Sequence, residues 1–163
     1  MPPAARLTDS VAHPAPPMLG PGPGSSTTMI GFLPAWRGVP AAAAAALQAA
    51  KKASDATIQV AQAASAAASG TPGAGAAKAA EEATKAACAA AMSSAISGAA
   101  GGADIHQCSQ PLPTPPHGPG VVINGSTTVM IDNLPACRLG DQILEAVGPP
   151  NNIVMGCTTV MIG

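Results

Sequence analysis

The sequence predicts a mainly β protein: a small pseudo-threefold set of β-hairpins with a long Ala-rich α-helical hairpin inserted. Three observations predict it. A short unit recurs along the chain, a third copy of that unit is split between the two chain ends, and the composition changes abruptly at Pro40–Ala41 and again at Gly101–Gly102. Three segments follow: residues 1–40 and 104–163, which share a Gly, Pro, Thr and Val/Ile/Met composition, and residues 41–103 between them.

The unit is clearest where Gly24-Ser-Ser-Thr-Thr-Met-Ile-Gly-Phe-Leu-Pro-Ala-Trp-Arg37 aligns without a gap to Gly125-Ser-Thr-Thr-Val-Met-Ile-Asp-Asn-Leu-Pro-Ala-Cys-Arg138. Gly156-Cys-Thr-Thr-Val-Met-Ile-Gly163 matches its first half, and Pro2-Pro-Ala-Ala-Arg-Leu-Thr-Asp9 matches its second. A unit divided in this way requires the first and last strands to lie side by side and close a ring of three. Val121-Val-Ile-Asn-Gly-Ser-Thr-Thr-Val-Met-Ile131 suggests how each unit is built, because β-branched runs flank Asn124-Gly125, a strong hairpin signal.

Residues 41–103 read as two helices. Ala is the strongest helix former, and opposite charges stand at helical spacing in Lys51/Asp55, Lys78/Glu82 and Glu81/Lys85. Ser69-Gly-Thr-Pro-Gly73 breaks the run and supplies the turn. Folding back there sets Leu47 near Ile96 and Ile58 near Cys88. No window offers the run of about 20 strongly apolar residues that a membrane span needs, so no stable span is expected.

Composition excludes several functions. With 7 Lys+Arg against 8 Asp+Glu and charged residues at 9%, there is no basic stripe to neutralise phosphates, so no nucleic acid is expected as partner. Aromatics are 1%, which removes base stacking. Gly20-Pro-Gly-Pro-Gly24 lacks the Lys and the N–H donors of a phosphate loop. Glu81-Glu82 reads as a helical surface pair held by lysines, and no nucleophile, base and orienting group assemble, so an enzyme is not expected. The N-terminus has no apolar signal region, which points to a cytoplasmic start and to reduced thiols.

Pro-Ala-Ala-Arg at 3–6, with Pro-Ala-Trp-Arg at 34–37 and Pro-Ala-Cys-Arg at 135–138, resembles the PAAR-repeat family. Asp-Ile-His-Gln-Cys at 104–108, Pro-Pro-His-Gly-Pro-Gly at 115–120 and the closing Gly-Cys-Thr-Thr-Val-Met-Ile-Gly support it. The resemblance covers both flanks. It implies a pointed cone that caps the trimeric valine-glycine repeat (VgrG) spike of a type VI secretion system, one chain per trimer, or that tips a related contractile phage-like tail. Such a chain waits in the cytoplasm and is delivered into the target cell on firing, aiding puncture and effector delivery. Two departures stand out: residues 41–103 interrupt the core, and Gly38-Val39-Pro40 replaces the Gly-Asp expected after the second unit. The inserted hairpin is therefore a candidate seat for an effector or its chaperone.

A β core this small gains from a structural metal. All three histidines lie in the flanks, and zinc in a closed site takes four His or Cys ligands. Two thiols compete to join them. Cys157 replaces a serine, since the other units carry Ser25 and Ser126 there, whereas His106-x-Cys108 would face one side of a strand. Cys137 aligns with Trp36 and Ala5 and reads as packing; Cys88 lies on the helical insertion. The family pattern, carried onto matching positions, implies one structural zinc on His13, His106, His117 and Cys157.

Overall fold

The structure, a computed structural model, describes residues 1–12, 18–108 and 117–163. In chain order its elements are β1 (Pro3–Ala4), β2 (Pro21–Gly22), β3 (Met29–Ile30), β4 (Leu33–Pro34), α1 (Ala41–Ala67) and α2 (Ala74–Ala99). Then come β5 (Ile105–Cys108), β6 (Gly118–Val122), β7 (Met130–Ile131), β8 (Leu134–Pro135), β9 (Gln142–Glu145), β10 (Asn151–Asn152) and β11 (Cys157–Met161). This is the predicted class, a β protein with a helical hairpin inserted.

The three units share one register. Met29 faces Pro34 in β3–β4, Met130 faces Pro135 in β7–β8, and Met161 faces Pro3 where β11 meets β1 across the chain ends. The split third unit is thus reassembled from the two termini. The hairpin turns fall at Gly31-Phe32 and Asp132-Asn133, whose φ angles of 54°, 67°, 52° and 63° suit a type I′ turn. Asn124-Gly125 turns no hairpin, contrary to the sequence expectation. β6, just before it, pairs with β5 and β9 instead of β7. Gly125 serves a close approach: a Cβ there would lie 2.9 Å from the Cβ of Pro135.

A ring of backbone hydrogen bonds joins the units. Trp36 N–H donates to the Ala5 carbonyl at 3.0 Å, Cys137 N–H to Trp36 at 3.0 Å, and Ala5 N–H to Cys137 at 2.9 Å. Single bridges pair Arg6 with Ala35, Arg37 with Ala136 and Arg138 with Ala4, in the same cyclic order. Equivalent residues fill the space within: Ala4, Ala35 and Ala136 with Ile30, Ile131 and Ile162 form one apolar cluster, and Ala5, Trp36 and Cys137 belong to the next.

Each unit's arginine is held by an aspartate. Arg6 donates its backbone N–H to Asp9 Oδ2 at 2.7 Å and its Nη2 to Oδ1 at 2.9 Å, and Arg138 repeats the pattern on Asp141 at 2.8 and 3.2 Å. In the second unit the aspartate comes from beyond the insertion. Arg37 donates N–H to Asp104 Oδ2 at 2.7 Å and Nη2 to Oδ1 at 2.9 Å, while Asp104 N–H returns to the Arg37 carbonyl at 3.0 Å. Asp9 and Asp141 make the same return bond, both at 3.1 Å. The missing Asp of Gly38-Val39-Pro40 is therefore Asp104, and the helical hairpin is inserted inside one Arg–Asp turn.

The helices form because Ala-rich sequence favours them, and they persist because one stripe is buried. Leu47 and Ile96 pack together as expected, in a cluster with Met92, Val39, Val121, Ile123, Leu134 and Leu144 that fastens the hairpin root to the sheet. The pair Lys51–Asp55 forms, as does Lys85–Glu81. Lys78 turns to Glu81 at 3.1 Å instead of to Glu82. Two lysines on one carboxylate, Lys85 foremost, hold Glu81 down at about 2.

Two outcomes are expected. Asp104 is fully buried, so Asp104→Ala strands the Arg37 guanidinium and should lower unfolding free energy in urea by about 3 kcal/mol or more. Glu81 titrates far below its usual 4.5, so its charge stabilises the hairpin fully above that value, and the contribution disappears as pH falls towards 2. Thermal melts followed by far-UV circular dichroism should show this acid-side loss in the wild type and a flatter profile in Glu81→Gln.

Candidate metal centre

β6 is the middle of a five-stranded sheet in the order β10-β9-β6-β5-β2. Its residues set the register of the centre: Gly120 faces His106 on one side and Glu145 on the other, and Cys108 faces Gly118. Strand alternation puts His106 and Cys108 on one face of β5, and both are fully buried. Two glycines make room. A Cβ on Gly120 would lie 2.8 Å from Glu145 Cγ, and one on Gly148, at φ 85°, would lie 3.2 Å from His117 Nε2.

Glu145 is 1% exposed, and polar neighbours surround its carboxyl group. Its Oε2 lies 2.7 Å from His117 Nδ1 and accepts from Asn151 Nδ2 at 2.8 Å, while its Oε1 is 3.6 Å from His106 Nε2. The donor atoms of Cys108, His117 and Glu145 all lie within 4.8 Å of one another. One sulfur, one nitrogen and one oxygen so close together form a donor set that suits zinc. The residues present therefore fit a metal ion.

The structure brings His106 and His117 of the sequence-derived ligand set together around Glu145. His13 lies outside the described residues. Cys157 sits elsewhere, in the apolar cluster with Ala4, Ala35 and Ala136. There its Sγ lies 3.2 Å from Thr159 Oγ1, a contact that, with the Thr159 backbone N–H, lowers the thiol below its ordinary value. Ser25 and Ser126 do the same work in their units: each Oγ accepts two backbone N–H groups, from Thr27 and Thr28 and from Thr128 and Val129. Cys157 is a turn cap in which sulfur stands for oxygen. Cys137, fully buried at the ring, is pushed well up by desolvation and packs as a small apolar group.

Glu145 escaped the sequence reading. Its signal was a lone charge in the apolar run Ile143-Leu-Glu-Ala-Val147, with no helical partner to explain it. A buried strand rarely carries such a residue without a task.

Three equivalent two-strand units closed by a cyclic hydrogen-bond set, with Cys108, His117 and Glu145 grouped in and beside the adjoining sheet, define a pseudo-threefold β protein. A family model described as PAAR motif matches residues 113–163, so the resemblance is shown over this stretch, which includes Pro-Ala-Cys-Arg at 135–138. Neither the curated proteins nor the solved structures contain a match. A PAAR motif supports association with the spike of a type VI secretion system, in a structural capacity rather than an enzymatic one. No described helix is long and apolar enough to cross a membrane.

The two cysteines separate cleanly by substitution. Cys157→Ser installs the residue that the other units carry, so unfolding free energy should stay within about 1 kcal/mol and metal content should be unchanged. Cys108→Ser removes a donor of the buried group and should lower bound zinc measured by elemental mass spectrometry. The reverse pattern would move the site to Cys157.

Proposed function

We propose that this chain caps a homotrimeric VgrG-type spike, one copy per trimer, and is held in shape by one structural zinc ion on Cys108, His117 and Glu145 with His106 beside them. The observation that carries the docking is the equivalence of Met29, Met130 and Met161. They occupy one register position in three hairpins and are 58%, 54% and 50% exposed. A monomer presents three like surfaces to a trimer only if it repeats internally, and this one does. Exposed methionines are soft apolar contacts, and covering them would remove surface that a free protein leaves in water.

Zinc, where bound, neutralises the buried carboxylate and ties β5 to the segment before β6 and to β9, so its binding adds to folding stability. On this reading the chain waits in the cytoplasm before firing and travels outward with the spike. Sharpening the spike for envelope puncture, with delivery of effectors, is the role this reading assigns it.

Docking is tested by mixing the chain with the trimeric spike protein and counting subunits by native mass spectrometry. One chain per trimer is expected. Met29→Asp, Met130→Asp and Met161→Asp should each weaken the complex by about tenfold or more, and by similar factors. Strong loss at one position with none at the other two would argue against threefold docking.

A further inference from the structure

The three units interlock a second time at their surface, and one of the three contacts is incomplete. Gly31, Asp132 and Gly163 each follow the isoleucine of a unit, Ile30, Ile131 and Ile162. Each meets a pair of side chains from the next unit. The pairs are Ser25 with Thr27, Ser126 with Thr128 and Cys157 with Thr159, whose polar atoms stand 3.3, 3.2 and 3.2 Å apart.

Two of the pairs hold an oxygen. Asp132 Oδ2 accepts from Ser25 Oγ at 2.7 Å and from Arg37 Nη1 at 2.9 Å, while its Oδ1 accepts from Thr27 Oγ1. Ser126 and Thr128 both donate to the Gly163 oxygen, Thr128 at 2.7 Å. The third pair meets Gly31, which has no side chain to offer. A Cβ there would lie 2.8 Å from Arg6 Nη1 and 3.0 Å from Cys157 Sγ, so the donors are in place without an acceptor. We propose that Arg6, Cys157 and Thr159 form a binding site for a carboxylate from outside the chain.

The equivalent site around Asp132 shows what such a set of donors takes. Arg37 is already bound to Asp104 through Nε and Nη2, yet its Nη1 holds the second carboxylate of Asp132. Arg6 is bound to Asp9 through the same two nitrogens, and its Nη1 has no carboxylate among the described residues. Pairing with one aspartate therefore leaves this arginine able to take another anion, by a charge-assisted hydrogen bond. The Thr159 hydroxyl foremost, and the Arg6 charge with it, hold the Cys157 thiol below its ordinary value, as a site of positive potential would. Gly31 and Thr159 are exposed, so a ligand reaches the donors from solvent once the flexible Arg6 tip moves aside. A thiol donates more weakly than a hydroxyl, which leaves this site weaker than its serine counterparts.

The site can be tested without a spike. Sodium acetate is titrated into the chain against sodium chloride at equal ionic strength, with the Gly31 and Thr159 amide shifts followed by NMR. Saturable shifts specific to acetate are expected, with half-saturation near about 10 mM. Gly31→Asp builds the missing carboxylate into the chain, at a φ of 54° that Asp132 adopts at 52° in its own turn. It should weaken acetate binding by about tenfold or more and melt no lower than wild type. Thr159→Val removes one donor at an exposed position and should weaken binding by about threefold, whereas Cys157→Ser should tighten it. The proposal is overturned if acetate shifts these amides no more than chloride does, or if Gly31→Asp and Thr159→Val both bind acetate as the wild type does. The source of the carboxylate follows from native mass spectrometry with the spike. Thr159 and Met161 share a face of β11, so an acidic side chain of the spike protein would reach the site, and Gly31→Asp would then weaken that complex. An unchanged complex, with acetate binding lost, assigns the site to a free carboxylate.

Discussion

Everything in the β core depends on three backbone hydrogen bonds that run in a circle, from Trp36 to Ala5, from Ala5 to Cys137 and from Cys137 to Trp36. Among the described residues no sheet closes in the ordinary sense: apart from β11 the strands of the three units are two residues long, and the units meet at single bridges. Such short strands would not hold alone. They hold because each unit donates to one neighbour and accepts from the other, leaving no edge at the ring. The arginine that follows each ring residue is then locked to an aspartate through its backbone and its side chain together. Burying those charges would cost stability if they were unpaired, and the bidentate geometry offsets that cost.

The Arg–Asp turn also explains how a long insertion can sit in a small core. Between Arg6 and Asp9, and between Arg138 and Asp141, two residues suffice. Between Arg37 and Asp104 the chain leaves after Val39, builds α1 and α2, and returns, yet the hydrogen bonds at the two ends match those of the short turns. Loop-closure entropy grows slowly with length, and a hairpin of two helices brings its own ends together. The insertion then repays its own ordering by covering Val121, Ile123, Leu134 and Leu144, which one side of the sheet would otherwise expose.

Most of this architecture was legible in the sequence because a repeat is visible wherever equivalent positions need equivalent residues. Met29, Met130 and Met161 align, as do the three Pro-Ala-x-Arg runs, and the divided third unit forecast the pairing of β1 with β11. The misleading signal was local. Asn124-Gly125 has the chemistry of a hairpin turn, but β6 finds better partners in β5 and β9, and tertiary pairing overrides a dipeptide preference. Asp104 was hidden for a different reason: a residue that completes a turn from beyond an insertion has no sequence neighbour to betray it.

The metal centre shows where alignment of repeats stops being informative. Cys157 drew attention because it breaks the Ser25/Ser126 pattern, and in the structure its thiol takes up turn contacts like those of the two hydroxyls. Cys108 and Glu145 lie in β5 and β9 and His117 just before β6, outside the three repeated units. The proposed metal role accounts for this placement. A ring of three like units offers only threefold surroundings, whereas one ion with mixed sulfur, nitrogen and oxygen donors needs an asymmetric cage. The sheet beyond the ring supplies it, with Gly120 and Gly148 leaving the space and the register of β5, β6 and β9 bringing the side chains in. In the proposed reading, symmetry serves the contact with a threefold partner, and its loss in the sheet leaves room for an asymmetric metal site.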